Sequence, residues 1–158
     1  MVWMDAVIHW VHLMAAATWV GGMIFTALLL NPLLKNMSPE IRMPLIRALG
    51  VRFKYAEWGC LAALALTGTY KLSRIGAWGP IFEGSFGAIL SLKLLLTAAM
   101  VALSLLHSFL WGPGLTVATP GTEDFARLRR RTIFWARVNL SLGLVVVFCA
   151  ALLRMNPL

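Results

Sequence analysis

Charge is the first thing this sequence is short of. Of its 158 residues only 13% are Asp, Glu, Lys or Arg, too few to cover a surface that faces water on all sides. Acid is scarcer still, six residues against fourteen basic ones. Cysteine is limited to Cys60 and Cys149, each inside its own apolar run and neither in a CxxC pair. That pattern gives no disulfide framework and no zinc ribbon, and both thiols read as small buried apolar residues. There is no Walker loop, no Ser-His-Asp set and no pair of intramembrane carboxylates, so ATPase, hydrolase and proton-pump chemistry have nothing to stand on. Internal repeats and low-complexity tracts are missing as well.

What is present is apolar. Hydrophobic residues make up 60% of the chain, and four runs, about 7–30, 55–73, 87–110 and 133–153, are long enough to cross a hydrocarbon core that needs roughly 20 residues of helix. Backbone groups in lipid must be bonded within their own segment, so the expected fold is an all-α integral membrane protein. It is a single domain over residues 1–158, a four-transmembrane-helix bundle with helices at about 7–30, 39–73, 87–110 and 122–153. No Lys or Arg precedes the first run, which is too long for a signal-peptide core and reads as a retained helix. Asn31-Pro32 should stop it. Ser38-Pro39-Glu40 is an N-cap, an N1 proline and an acidic first turn, and Thr119-Pro120-Gly121-Thr122-Glu123-Asp124 repeats the device before the last helix. Trp3, Trp10, Trp78 and Trp111 stand where an aromatic belt would place them.

The net charge of +8 sits in short connections between apolar runs, so it fits membrane lipids rather than nucleic acid. Lys35, Arg42, Arg47, Arg52 and Lys54 lie in the first connection and Arg127, Arg129, Arg130 and Arg131 in the third. The second holds only Lys71 and Arg74. The positive-inside rule then places both termini on the periplasmic side of a bacterial inner membrane.

With that topology His9 and His12 lie near the outer face, as does Lys93. His107, fourteen residues after Lys93, lies roughly 21 Å away near the inner face. His12 and His107 therefore cannot share one metal. Lys93, Met100 and His107 form one stripe of the third helix; His12, Ala15, Ala16, Trp19 and Met23 form one of the first. If the stripes face each other, His12 meets Lys93, and titratable groups at such depth are functional candidates. Arg52, Glu57 and Arg137 are the expected neighbours of His107.

Three readings follow. In the first, Met4, His9 and His12 bind copper in the outer leaflet and pass it toward Met23 and Met100, because thioether and imidazole suit Cu(I). The second is a b-type haem held by His12 or His107, with Lys93, Arg52 or Arg137 beside its propionates; enzymatic activity enters only here, as a haem-dependent oxidoreductase. The third is an accessory subunit of a membrane complex, with no chemistry of its own.

The segments WVHLMAAATWVGGMIF, NPLL, RALGVRFKYAEW, LALTGTY, LKLLL, HSFLWGP and RVNLSLGLVVV together resemble the CopD-type (copper resistance protein D) integral membrane proteins, over nearly the whole chain. The resemblance points to His12, Trp19, Gly21, Gly22, Arg52, Phe53, Thr67, Gly68 and Lys93. It implies copper uptake or tolerance, with a periplasmic copper-binding protein or an electron-transfer protein as partner. Four helices make a thin pathway for transport, which a homo-oligomer would widen. More distantly the chain is similar to HemJ-type four-helix haem-b proteins, which share a helix-1 histidine and a helix-3 lysine. It lacks their charged residue after the first glycine pair.

Overall fold

The structure, a computed structural model, describes residues 2–75, 82–117 and 121–155. Regular structure among the described residues is helical throughout: α1 (Val2–Phe25), α2 (Asn31–Lys35), α3 (Pro39–Ile75), α4 (Gly84–Leu106), α5 (Gly112–Val117) and α6 (Glu123–Met155). Two wide π-turns, Thr26–Leu30 and His107–Trp111, join α1 to α2 and α4 to α5. Contacts divide the chain into two compact units, Met1–Gly76 and Ala77–Leu158. Three of its helical stretches, Val2–Lys35, Gly84–Trp111 and Glu123–Met155, are long and apolar enough to cross a membrane. In α3 the remaining apolar run, about 55–73, is diluted by Thr67, Thr69, Tyr70 and Lys71, with Arg74 just beyond it.

In the first unit α1 and α3 pack antiparallel, with Ala15, Trp19, Val20, Leu61 and Thr67 buried along the seam. Asn31-Pro32 does not stop the first helix. Proline at 32 has no amide proton for the carbonyl of Leu28, and its ring would press on that carbonyl in a regular helix. The turn ahead of it widens instead, the Asn31 N–H bonding the carbonyl of Thr26 five residues back, and the helix resumes to Lys35. Such wide turns are a recognised way to absorb a helix irregularity.

The start of α3 follows the expected device. Ser38 caps it, its carbonyl accepting from Ile41 and Arg42 N–H at 3.2 and 2.9 Å, and proline occupies the first helical position. Glu40 accepts from its own amide and from the Ser38 hydroxyl, which together hold its carboxyl below the usual value of 4.5.

In the second unit α4 packs on α6 around Leu90, Met100, Ser104, Asn139, Gly143 and Cys149. Helix α4 also outruns its expected end near 110 by a wide turn, here before Gly112-Pro113, with the Gly112 N–H reaching back to the carbonyl of His107. A Cβ at 112 would stand 3.0 Å from that carbonyl, a tight contact that glycine avoids. Thr122 caps α6 by accepting the Phe125 N–H at 3.3 Å on its hydroxyl, and Glu123 and Asp124 fill the first turn. Trp78, Thr119 and Pro120 lie outside the described residues.

Trp3 and Trp10 are exposed, as belt residues are. Trp111 departs from that expectation: it is buried and stacks on Trp135 with ring centres 5.9 Å apart, while the Arg131 guanidinium lies 5.1 Å over its ring. It is part of the packing of its unit.

Candidate functional site

The polar residues of the first unit are strung along the α1/α3 seam. At one end the Tyr70 hydroxyl donates to Asp5 Oδ1 at 2.7 Å, and Arg74 Nη2 stands 3.8 Å from Asp5 Oδ2. One turn further along α1, Lys71 Nζ lies 3.0 Å from His9 Nδ1. Next comes His12 Nδ1, 2.7 Å from Thr67 Oγ1. Further on, the buried Trp19 indole donates to Glu57 Oε1 at 3.3 Å, and a Cβ on Gly22 would sit 3.3 Å from the Phe53 ring.

These contacts assign the imidazole protons. The Thr67 hydroxyl lies 2.6 Å from the carbonyl of Ala63, one turn back in its own helix. A threonine has one hydroxyl proton, and a carbonyl can only accept it, so toward His12 the Thr67 oxygen is an acceptor. Nδ1 of His12 therefore carries the proton and Nε2 carries the lone pair. Thr67 is itself buried, and Gly68 beside it leaves His12 Cε1 at ordinary contact distance, 3.8 Å from where a Cβ would be. His9 is the opposite case. A lysine ammonium has donors only, so Nδ1 of His9 accepts from Lys71 and the neutral ring carries its proton on Nε2.

The remaining candidates are placed within their own units. Met4 is 52% exposed near the start of α1, Arg52 is exposed on α3, and Glu57 accepts from the Trp19 indole. In the second unit Lys93 is half-buried on α4, and its carbonyl accepts from the Thr97 hydroxyl at 2.8 Å. Met100 is 1% exposed, whereas His107 opens the wide turn with its side chain exposed, and Arg137 is exposed on α6. Among the described residues no three His, Cys, Asp or Glu side chains converge as a metal cluster.

Asp5, Tyr70, Lys71 and Arg74 were not singled out by the sequence, beyond the count of basic residues. The helical spacing of Tyr70, Lys71 and Arg74 near the end of a run was the available signal.

Residues 47–153 match the family described as Copper resistance protein D. The matched stretch contains Thr67, Lys93 and His107 and starts after α1. Over 161 residues, 99% of each chain, the protein is 29% identical to a protein of Aquifex aeolicus (strain VF5) described as "Uncharacterized protein". No solved structure matches.

Proposed function

Since the chain belongs to the copper resistance protein D family, we propose that this multi-pass membrane protein binds copper through His12 and passes it across a bacterial inner membrane. The observation that carries this reading is the His12–Thr67–Ala63 relay. A histidine ligand is oriented by the hydrogen bond its other nitrogen donates. Thr67 supplies that acceptor and turns the basic Nε2 to the task of ligation. Met4 and Met23, on the same helix as His12, are the soft donors that suit Cu(I). Lys71 on Nδ1 of His9 favours His12 over His9 as the nitrogen ligand; His9 joins only when Lys71 withdraws.

The proposed topology is four crossings, with α3 as the fourth span and both termini periplasmic. Glu57, Thr67, Tyr70, Lys71 and Arg74 of α3 have partners on α1, which makes a less apolar helix tolerable in lipid. A periplasmic copper-binding protein is the proposed delivery partner, and self-association the proposed route to a wider pathway.

The test is a Cu(I) titration of detergent-purified protein against a chromophoric chelator, with oxidised and reduced absorption spectra of the same sample. Bound copper in the wild type that is lost in His12→Ala is the expected result. A Soret band that sharpens on reduction and disappears in His12→Ala would replace this reading with the haem one, because the same Nε2 would serve as an axial ligand to iron.

A further inference from the structure

At the end of the first unit where α1 begins and α3 ends, Asp5, His9, Tyr70, Lys71 and Arg74 line an open cleft of about 340 Å³. Both helix ends meet there antiparallel, so the positive end of one dipole lies beside the negative end of the other and their fields oppose. The side chains decide the sign. One carboxylate, Asp5, faces two cations, Lys71 and Arg74, and its oxygens already accept from Tyr70 at 2.7 Å and meet Arg74 at 3.8 Å. With His9 neutral the cleft keeps a surplus positive charge, which disfavours a metal cation and favours an anion.

The donors are also held in place. Lys71 is half-buried and fixed at 3.0 Å from His9 Nδ1, which puts the His9 proton on Nε2. Arg74 presents a planar fork of donors suited to phosphate oxygens. Lysine, arginine and an imidazole N–H around one cleft are the donor set of a phosphate oxyanion site. We propose that this cleft binds a phosphate oxyanion, with Lys71, Arg74 and His9 Nε2–H as donors and Asp5 and Tyr70 holding Arg74 in position. The same chemistry is offered by free phosphate and by an anionic phospholipid headgroup. The site does not rest on the copper reading: Lys71 and Arg74 take no part in copper binding, and His9 joins copper only when Lys71 has left it.

Thermal unfolding of the full-length protein separates the two sources. One arm compares inorganic phosphate with chloride at matched ionic strength in detergent, and the other compares nanodiscs of phosphatidylglycerol with nanodiscs of phosphatidylcholine. A saturable rise in Tm in the first arm identifies free phosphate; a rise confined to the second identifies the headgroup. In Lys71→Gln/Arg74→Gln the effect should weaken about tenfold or more in apparent affinity, and in Arg129→Gln/Arg130→Gln it should persist. No rise in either arm, or equal weakening in both double variants, overturns the proposal. Should the first variant not fold, amine labelling of the wild type decides. The ligand must slow modification of Lys71 relative to Lys54, and equal rates with and without it overturn the site.

Discussion

Thr67 has one proton to give and gives it to the carbonyl of Ala63, so its effect on His12 is fixed by what it has left, a lone pair. Thr67→Val keeps the shape and removes the acceptor, leaving the His12 N–H without that hydroxyl in a seam where its partner is buried. The expected cost is about 1–3 kcal/mol of stability, with a fall of about 10–100-fold in Cu(I) affinity, read by thermal unfolding and chelator competition. Thr67→Ser should restore both. Copper binding in Thr67→Val equal to that of wild type would remove the hydroxyl from the mechanism. From the sequence His12 stood out because imidazole is rare in apolar runs, while Thr67 entered only through resemblance. A threonine in a helix is unremarkable until the register of a second helix puts a ring beside it.

Elements were legible where their signals are local. Ser38-Pro39-Glu40 and Thr122-Glu123-Asp124 mark helix starts that the structure places at Pro39 and Glu123. The ends near Asn31-Pro32 and Gly112-Pro113 were not, because proline removes one hydrogen bond but does not say whether the chain will stop or widen. The start of α4 adds a constraint that no pattern announces. Gly84 adopts φ +64°, the turn folds back, and the Phe82 backbone comes to lie where a Cβ on Gly87 would be. Gly87→Ala must push the turn and helix apart, and overpacking of this kind costs about 1–3 kcal/mol. The check is the unfolding midpoint in detergent; Gly59→Ala, where a Cβ would meet nothing within 4 Å, is the control expected to stay at or above the wild-type value. A Gly87→Ala protein as stable as wild type would mean that the turn yields freely.

At the scale of the whole molecule the question is how often the chain crosses the membrane. Composition made membrane residence plain, and three stretches qualify by length and apolarity. The run in α3 is less apolar, and Thr67, Tyr70, Lys71 and Arg74 in and just beyond it have partners on α1, a pairing that is a tertiary fact. If α3 spans, the number of crossings is even. Alkaline phosphatase joined to either terminus should then be active in the periplasm, and a fusion after Arg131, in the basic first part of α6, should be inactive. Activity of opposite sign at the two termini would reduce the crossings to an odd number and remove α3 from the bilayer.

The seam between α1 and α3 carries an implication for how such chains vary in length. Contacts from Asp5–Tyr70 through His12–Thr67 and Trp19–Glu57 to Gly22–Phe53 run along about 26 Å of α1. A single added or deleted residue inside that stretch would turn everything beyond it by about 100° and take the side chains beyond it off their partners. Insertions and deletions should therefore be tolerated in the connections and excluded between positions 5 and 22 and between 53 and 74, so that members of the group differ in loop length while keeping this span at constant count.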